Sequence, residues 1–168
     1  MAGRAYRWGL ILVGGVLTAG GIWWAARPGP AELLERGLAV GRRHVDRGEE
    51  LLRQAVDRAG GRYPDAACAT CLLHALHDNW ADALQEFSEL NLEHCRTDLL
   101  LEFSRTALAS GHESSAIAAL QAVSRRHNRD SPAALELLVS TWQAAGQVDL
   151  VIETAREWTE QDPDNPRA

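Results

Sequence analysis

The sequence contains no lysine, and all 17 of its basic residues are arginine. A Walker-type phosphate loop needs a lysine to reach the β- and γ-phosphates, so that class of nucleotide site is excluded. Basic residues are also outnumbered, 17 against 23 acids, for a net charge of −6. A nucleic-acid partner needs a clustered basic surface, which this balance does not supply. Cysteine occurs three times, too rarely for a disulfide scaffold. No GxSxG stretch marks a nucleophile elbow, and paired acids such as Glu49-Glu50 sit at helix starts, where the helix dipole favours them. With no constellation that would carry catalysis, the reading is non-enzymatic, with no cofactor, no metal and no small-molecule substrate.

At 168 residues and 46% hydrophobic content, the chain supports about one domain. Its composition divides near residue 27. From Trp8 to Ala26 there is no charge. As a helix these 19 residues would span roughly 28 Å, close to the hydrocarbon thickness of a bilayer. Trp8 stands at one end and Trp23-Trp24 at the other, where indole favours the water–lipid boundary. Arg4, Arg7 and Arg27 flank the run, and Pro28-Gly29-Pro30 stops it. This predicts a short basic tail over 1–7 and a transmembrane anchor over 8–27. A cleaved signal peptide is the competing reading, but bulky Trp24 stands where cleavage after Ala26 would want a small residue. Gly14, Gly15 and Ala19 form small-residue pairs that would let a second membrane helix approach closely. A short N-terminus before a large C-terminal part leaves that part in the periplasm of a bacterial inner membrane.

Residues 28–168 hold 14 Arg and all 23 acids, a charge of −9. That charge is graded: residues 31–63 carry +1 and residues 132–168 carry −5. Apolar residues recur at helical spacing throughout, as in Leu34, Leu38, Val45, Leu52 and Val56, and again in Leu99, Leu100, Phe103 and Ala107. Asp46-Arg47-Gly48-Glu49 reads as a turn with a capping box. Gly60-Gly61, His77-Asp78-Asn79, Ser110-Gly111-His112 and Ala145-Gly146-Gln147 read as helix ends or turns. Asp78, Gly111 and Gly146 recur at a spacing near 34 residues, which predicts a stacked array of helical hairpins.

These residues resemble the tetratricopeptide repeat (TPR) family. In the copy over 132–165, Leu135, Leu138, Val139 and Trp142 match the first helix, Gly146 the turn, and Val151, Ala155, Trp158 and Pro163 the second helix and its end. The copy over 97–131 keeps Leu100, Phe103, Gly111, Ala116 and Leu120, and the copy over 64–96 keeps Trp80, Ala83, Phe87 and Leu90. Residues 28–63 hold a linker and a degenerate hairpin, with Arg53 where a small residue is expected. The expected fold is therefore all-α: an N-terminal transmembrane helix, then a TPR-like right-handed array of antiparallel helical hairpins. The resemblance implies a peptide-binding groove lined by first-helix residues, which here are Leu72, Leu76, Leu101, Arg105, Leu108, Glu136 and Gln143. It implies protein partners rather than substrates.

Cys68-Ala-Thr-Cys71-Leu-Leu-His74-Ala-Leu-His77, with Cys95 downstream, admits several readings. Leu72 after the second Cys excludes a c-type haem attachment. Cys68 and His77 point to opposite sides of one helix, so the four residues do not close around one ion. A smaller set of Cys71, His74 and Cys95, a redox-active CxxC, a Cys68–Cys95 disulfide and three buried thiols stay open. Three functional readings follow. The first is a tethered scaffold that assists assembly or stability of an envelope complex. The others are an accessory subunit packing its Gly-rich anchor inside a membrane complex, and a redox- or metal-handling maturation factor using Cys68, Cys71 and Cys95.

Overall fold

The computed structural model describes residues 28–161 and Pro163. The predicted anchor, with Gly14, Gly15 and Ala19, lies outside the described residues, and among those described no helix is long and apolar enough to cross a membrane. The described chain is all-helical. It runs α1 (Pro30–Gly41), α2 (Val45–Arg58), α3 (Pro64–Leu76), α4 (Trp80–Glu89), a short 3₁₀ turn (Leu92–His94), α5 (Thr97–Ala109), α6 (Glu113–Ser124), α7 (Ser131–Ala144) and α8 (Val148–Gln161). Sequential helices pack as pairs: α1 on α2, α3 on α4, α5 on α6 and α7 on α8. Three-residue turns between packed neighbours make each pair an antiparallel hairpin.

Backbone chemistry closes the turns inside three hairpins. Asp78, Gly111 and Gly146 take φ of 61°, 81° and 70°. The residue after each returns its N–H five residues: Asn79 to His74 O at 2.9 Å, His112 to Ala107 O at 2.8 Å, Gln147 to Trp142 O at 2.9 Å. These bonds satisfy carbonyls that a helix end leaves orphaned. Asp78 is the one of the three that is not glycine, and its Oδ1 accepts a 2.9 Å bond from Trp80 Nε1.

The first hairpin turns differently. Its break falls at Arg42-Arg43-His44, with His44 before α2, so Asp46 and Glu49 lie inside the helix and make no capping box. Gly48 is thereby placed within α2, buried against α1. A Cβ on Gly48 would lie 2.4 Å from Gly41 Cα and 2.9 Å from Gly37 O. Gly37 and Gly41 face Leu52 and Leu73 just as closely. Three glycines thus do the close-approach work that the sequence reading looked for at position 53; Arg53 is exposed and bonded to Glu50 at 2.6 Å.

The α2–α3 connection is closed like those three turns, Gly61 N–H to Val56 O at 2.9 Å, whereas the last two connections between hairpins are held by side chains. Asp65 Oδ1 accepts the Arg96 backbone N–H at 2.8 Å. Thr97 Oγ1 donates to Asp130. Arg126 donates from Nη1 to Cys95 O at 2.6 Å and from Nη2 to Leu92 O. A forked guanidinium can serve two carbonyls at once, which an ammonium point charge does less well.

The core is continuous through all four hairpins. Leu72, Leu73, Leu100, Leu120 and Leu135 are fully buried, each contributing about 1.5–3 kcal/mol relative to exposure. Phe87 and Phe103 stack at 4.7 Å, and Trp80 lies 4.1 Å from the His112 ring. Trp158 is buried, whereas Trp80 and Trp142 are half-buried against the core. Ala83 and Ala116 are completely covered, as their small size at helix crossings predicted.

Candidate interaction surface

α3 packs against α1, α2, α4 and α5. Its sequence fits that position: Ala66, Cys68, Ala69, Cys71, Leu72, Leu73 and Ala75 are apolar round most of the helix and all are buried, leaving a narrow stripe of Ala67, Thr70 and His74 less covered. Leu72 is 0% exposed and Leu101, on α5, is 6% exposed. Both belong to the core and leave the predicted groove. Two ion pairs in register tie α1 to α5 beyond α3: Glu35 with Arg96, and Arg42 with Glu102 at 2.5 Å. His77 Nε2 also bonds Gly41 O at 2.8 Å. The first hairpin is therefore an integral wall of the array rather than a loose leader.

The rest of the predicted surface is accessible. Leu76 is 39% exposed, Arg105, Glu136 and Gln143 are exposed, and Leu108 is half-buried. Four of these residues, Arg105 and Leu108 on α5 and Glu136 and Gln143 on α7, are thus open to solvent to differing degrees.

Arg96 anchors the junction of α1 and α5. It bonds Asp98 as well as Glu35, and this holds the Asp98 carboxyl below its ordinary pKa. The same two partners push the Arg96 guanidinium higher still.

A second polar group forms between α2, α3 and α4, and sequence reading did not assemble it. His74 Nε2 lies 3.4 Å from Glu49 Oε1 and 3.6 Å from Glu86 Oε1. They line an open cavity of about 230 Å³ with Leu52, Val56, Ala66 and Thr70. Burial raises the Glu86 pKa; His74 opposes this and Glu49 adds to it. Its Oε2 is buried without a hydrogen-bond partner. The pairing joins residues 25 and 12 positions from His74, so no local motif announces it.

The thiols are all buried and free. Cys71 Sγ donates to Ala83 O at 3.2 Å. Cys68 lies beside Cys95, whose own thiol donates to Asn91 O at 3.5 Å. His74 turns instead to the two glutamates. The set Cys71, His74 and Cys95 therefore does not converge, and among the described residues no three His, Cys, Asp or Glu side chains are placed to hold an ion.

In comparison with known proteins, no family model, no curated protein and no solved structure matches the chain.

Proposed function

We propose that the protein is a non-enzymatic, membrane-tethered scaffold whose stacked, TPR-like hairpins hold a protein partner and assist assembly or stability of a bacterial envelope complex. The observation that carries this reading is the accessibility of Arg105, Leu108, Glu136 and Gln143, in a chain whose uncharged 19-residue run leads directly into α1. Polar residues together with a half-buried leucine suit an extended or helical peptide segment. The run over 8–26 anchors the chain, and the hairpins stand on the periplasmic side with their more acidic end away from the bilayer. In this reading the anchor glycines pack against a partner's membrane helix, so the accessory-subunit role is a second contact of the same scaffold. The maturation-factor reading has less support, because each of the three thiols is about 1% exposed.

The test uses the full chain in native bacterial membranes. A photo-crosslinker at Arg105 or Gln143 is expected to capture one defined envelope protein, and the same label at Arg129 is not. Protease added to spheroplasts is expected to digest the hairpins while sparing the anchor. Extraction of the chain by alkaline carbonate, or equal crosslinking from all three positions, would overturn the proposal.

A further inference from the structure

Two of the three thiols are brought together from separate elements. Cys68 lies on α3, one turn beyond Asp65, and Cys95 follows the 3₁₀ turn that connects α4 to α5. The 2.8 Å bond from the Arg96 N–H to Asp65 fixes that connection along the same face of α3. Cys68 is thereby held beside Cys95, whose thiol donates to Asn91 O at 3.5 Å. Cys71, one turn further along α3, is directed to Ala83 O instead. Both Cys68 and Cys95 are 1% exposed, so no solvent separates them.

We infer that Cys68 and Cys95 form a redox-controlled lock across the join between the second and third hairpins, with Cys71 remaining a thiol. This goes beyond the scaffold reading and does not depend on it. The oxidant is a disulfide, either a small one such as glutathione disulfide or a dithiol–disulfide exchange protein. Cys95 attacks as thiolate, one sulfur of the oxidant is bonded to it, and the other leaves as a thiol carrying the Cys95 proton. Cys68 then attacks the Cys95 sulfur, expels the second thiol and gives up its own proton to it. Two protein thiols and one disulfide become one protein disulfide and two free thiols, with two electrons passed to the oxidant.

Access requires the connection to open, and its construction permits that. Residues 90–96 contain a single 3₁₀ turn, and Arg126 clamps them through the carbonyls of Leu92 and Cys95. Breaking those side-chain bonds frees Cys95 without unfolding α3. The disulfide would then replace a breakable clamp by a covalent one.

The experiment equilibrates the full chain with glutathione disulfide and glutathione over a range of ratios, blocks free thiols and maps the peptides. Residues 63–95 contain no Arg, so cleavage is made at Asp and Glu to separate Cys95 from the other two. The expected product has lost two hydrogens, joins the Cys68 peptide to the Cys95 peptide and carries the blocking group on Cys71. Cys71→Ala should oxidise in the same way. Amide exchange over 90–96 should slow at least tenfold in the oxidised form and recover on reduction. Because the wild-type map needs no substitution, misfolding of a variant leaves the test intact. Glutathione left on single cysteines, a bond to Cys71, or unchanged exchange over 90–96 after oxidation would each overturn the lock.

Discussion

Glu86 shows how a single side chain sets a pH dependence. Burial raises its folded-state pKa, and the neighbouring Glu49 adds to the rise. A raised carboxyl pKa means that the folded state holds its proton more tightly than the unfolded chain does. Its contribution to stability is complete below the unfolded value, about pH 4.3, and is lost as pH rises through the folded value. Once ionised in the folded state, the group costs stability. Glu86→Gln is neutral at every pH, so it should melt higher than wild type at pH 8 and show no advantage at pH 4. Solvent screening at this half-exposed site keeps the gain to a few degrees. Thermal melts at the two pH values decide it; an advantage that is equal at both would refute the assignment.

At the scale of elements, glycine does two different jobs. Gly48 sits in the α1–α2 crossing with helical backbone, and Gly111 closes a turn at φ 81°. Alanine at 48 gains roughly 1 kcal/mol of helix propensity. It also drives a Cβ to 2.4 Å from Gly41 Cα, where backbone rather than a flexible side chain must move. Overpacking of that kind costs about 1–3 kcal/mol, so the clash outweighs the propensity gain. At 111 nothing lies within 4 Å of the added Cβ, and the cost is purely conformational, about 1 kcal/mol. Urea denaturation should therefore show both variants destabilised. Gly48→Ala should also disturb the chemical shifts of Leu73, which Gly111→Ala should leave unchanged.

This contrast explains how much was legible in advance. Gly111, Gly146 and the Gly60-Gly61 pair announced their turns, because a positive φ is a local demand that glycine meets visibly. Helical spacing gave the all-α class for the same reason. Gly48 reads in sequence as part of a turn beginning at Asp46 but lies in the crossing with Gly41, since a glycine that allows close packing looks like one that allows a turn. Leu72 and Leu101 were assigned to a groove because their burial depends on where the first hairpin lies, and only contacts some 30–60 residues apart, Glu35–Arg96 and Arg42–Glu102 among them, determine that. The His74 group was hidden by the same kind of distance.

For the whole molecule, the first hairpin is the part whose removal should matter most. α3 is apolar round most of its circumference and packs against both α1 and α2. A chain starting at Arg62 would expose Leu72 and Leu73 together with the Gly41-facing side of α3. Several buried leucines at about 1.5–3 kcal/mol each approach the entire stability of an ordinary domain. The truncated chain should therefore aggregate or bind a hydrophobic dye, and size-exclusion chromatography with dye fluorescence would show it. A monomeric, cooperatively melting truncation would mean that the remaining hairpins suffice without that wall.

In the last three hairpins, turns and joins are fastened by different means. The turns inside them are closed by backbone bonds, while the two joins between them rely on Asp65, Thr97 and Arg126 side chains. Backbone rings open only with the helix they terminate, whereas side-chain bonds can be exchanged for water one at a time. Those two joins are therefore where the array would open first, like a fan whose ribs stay stiff while its spread changes. A partner seated along α5 and α7 would feel that spread directly, so a strain on the joins would loosen or tighten its hold without melting a single helix.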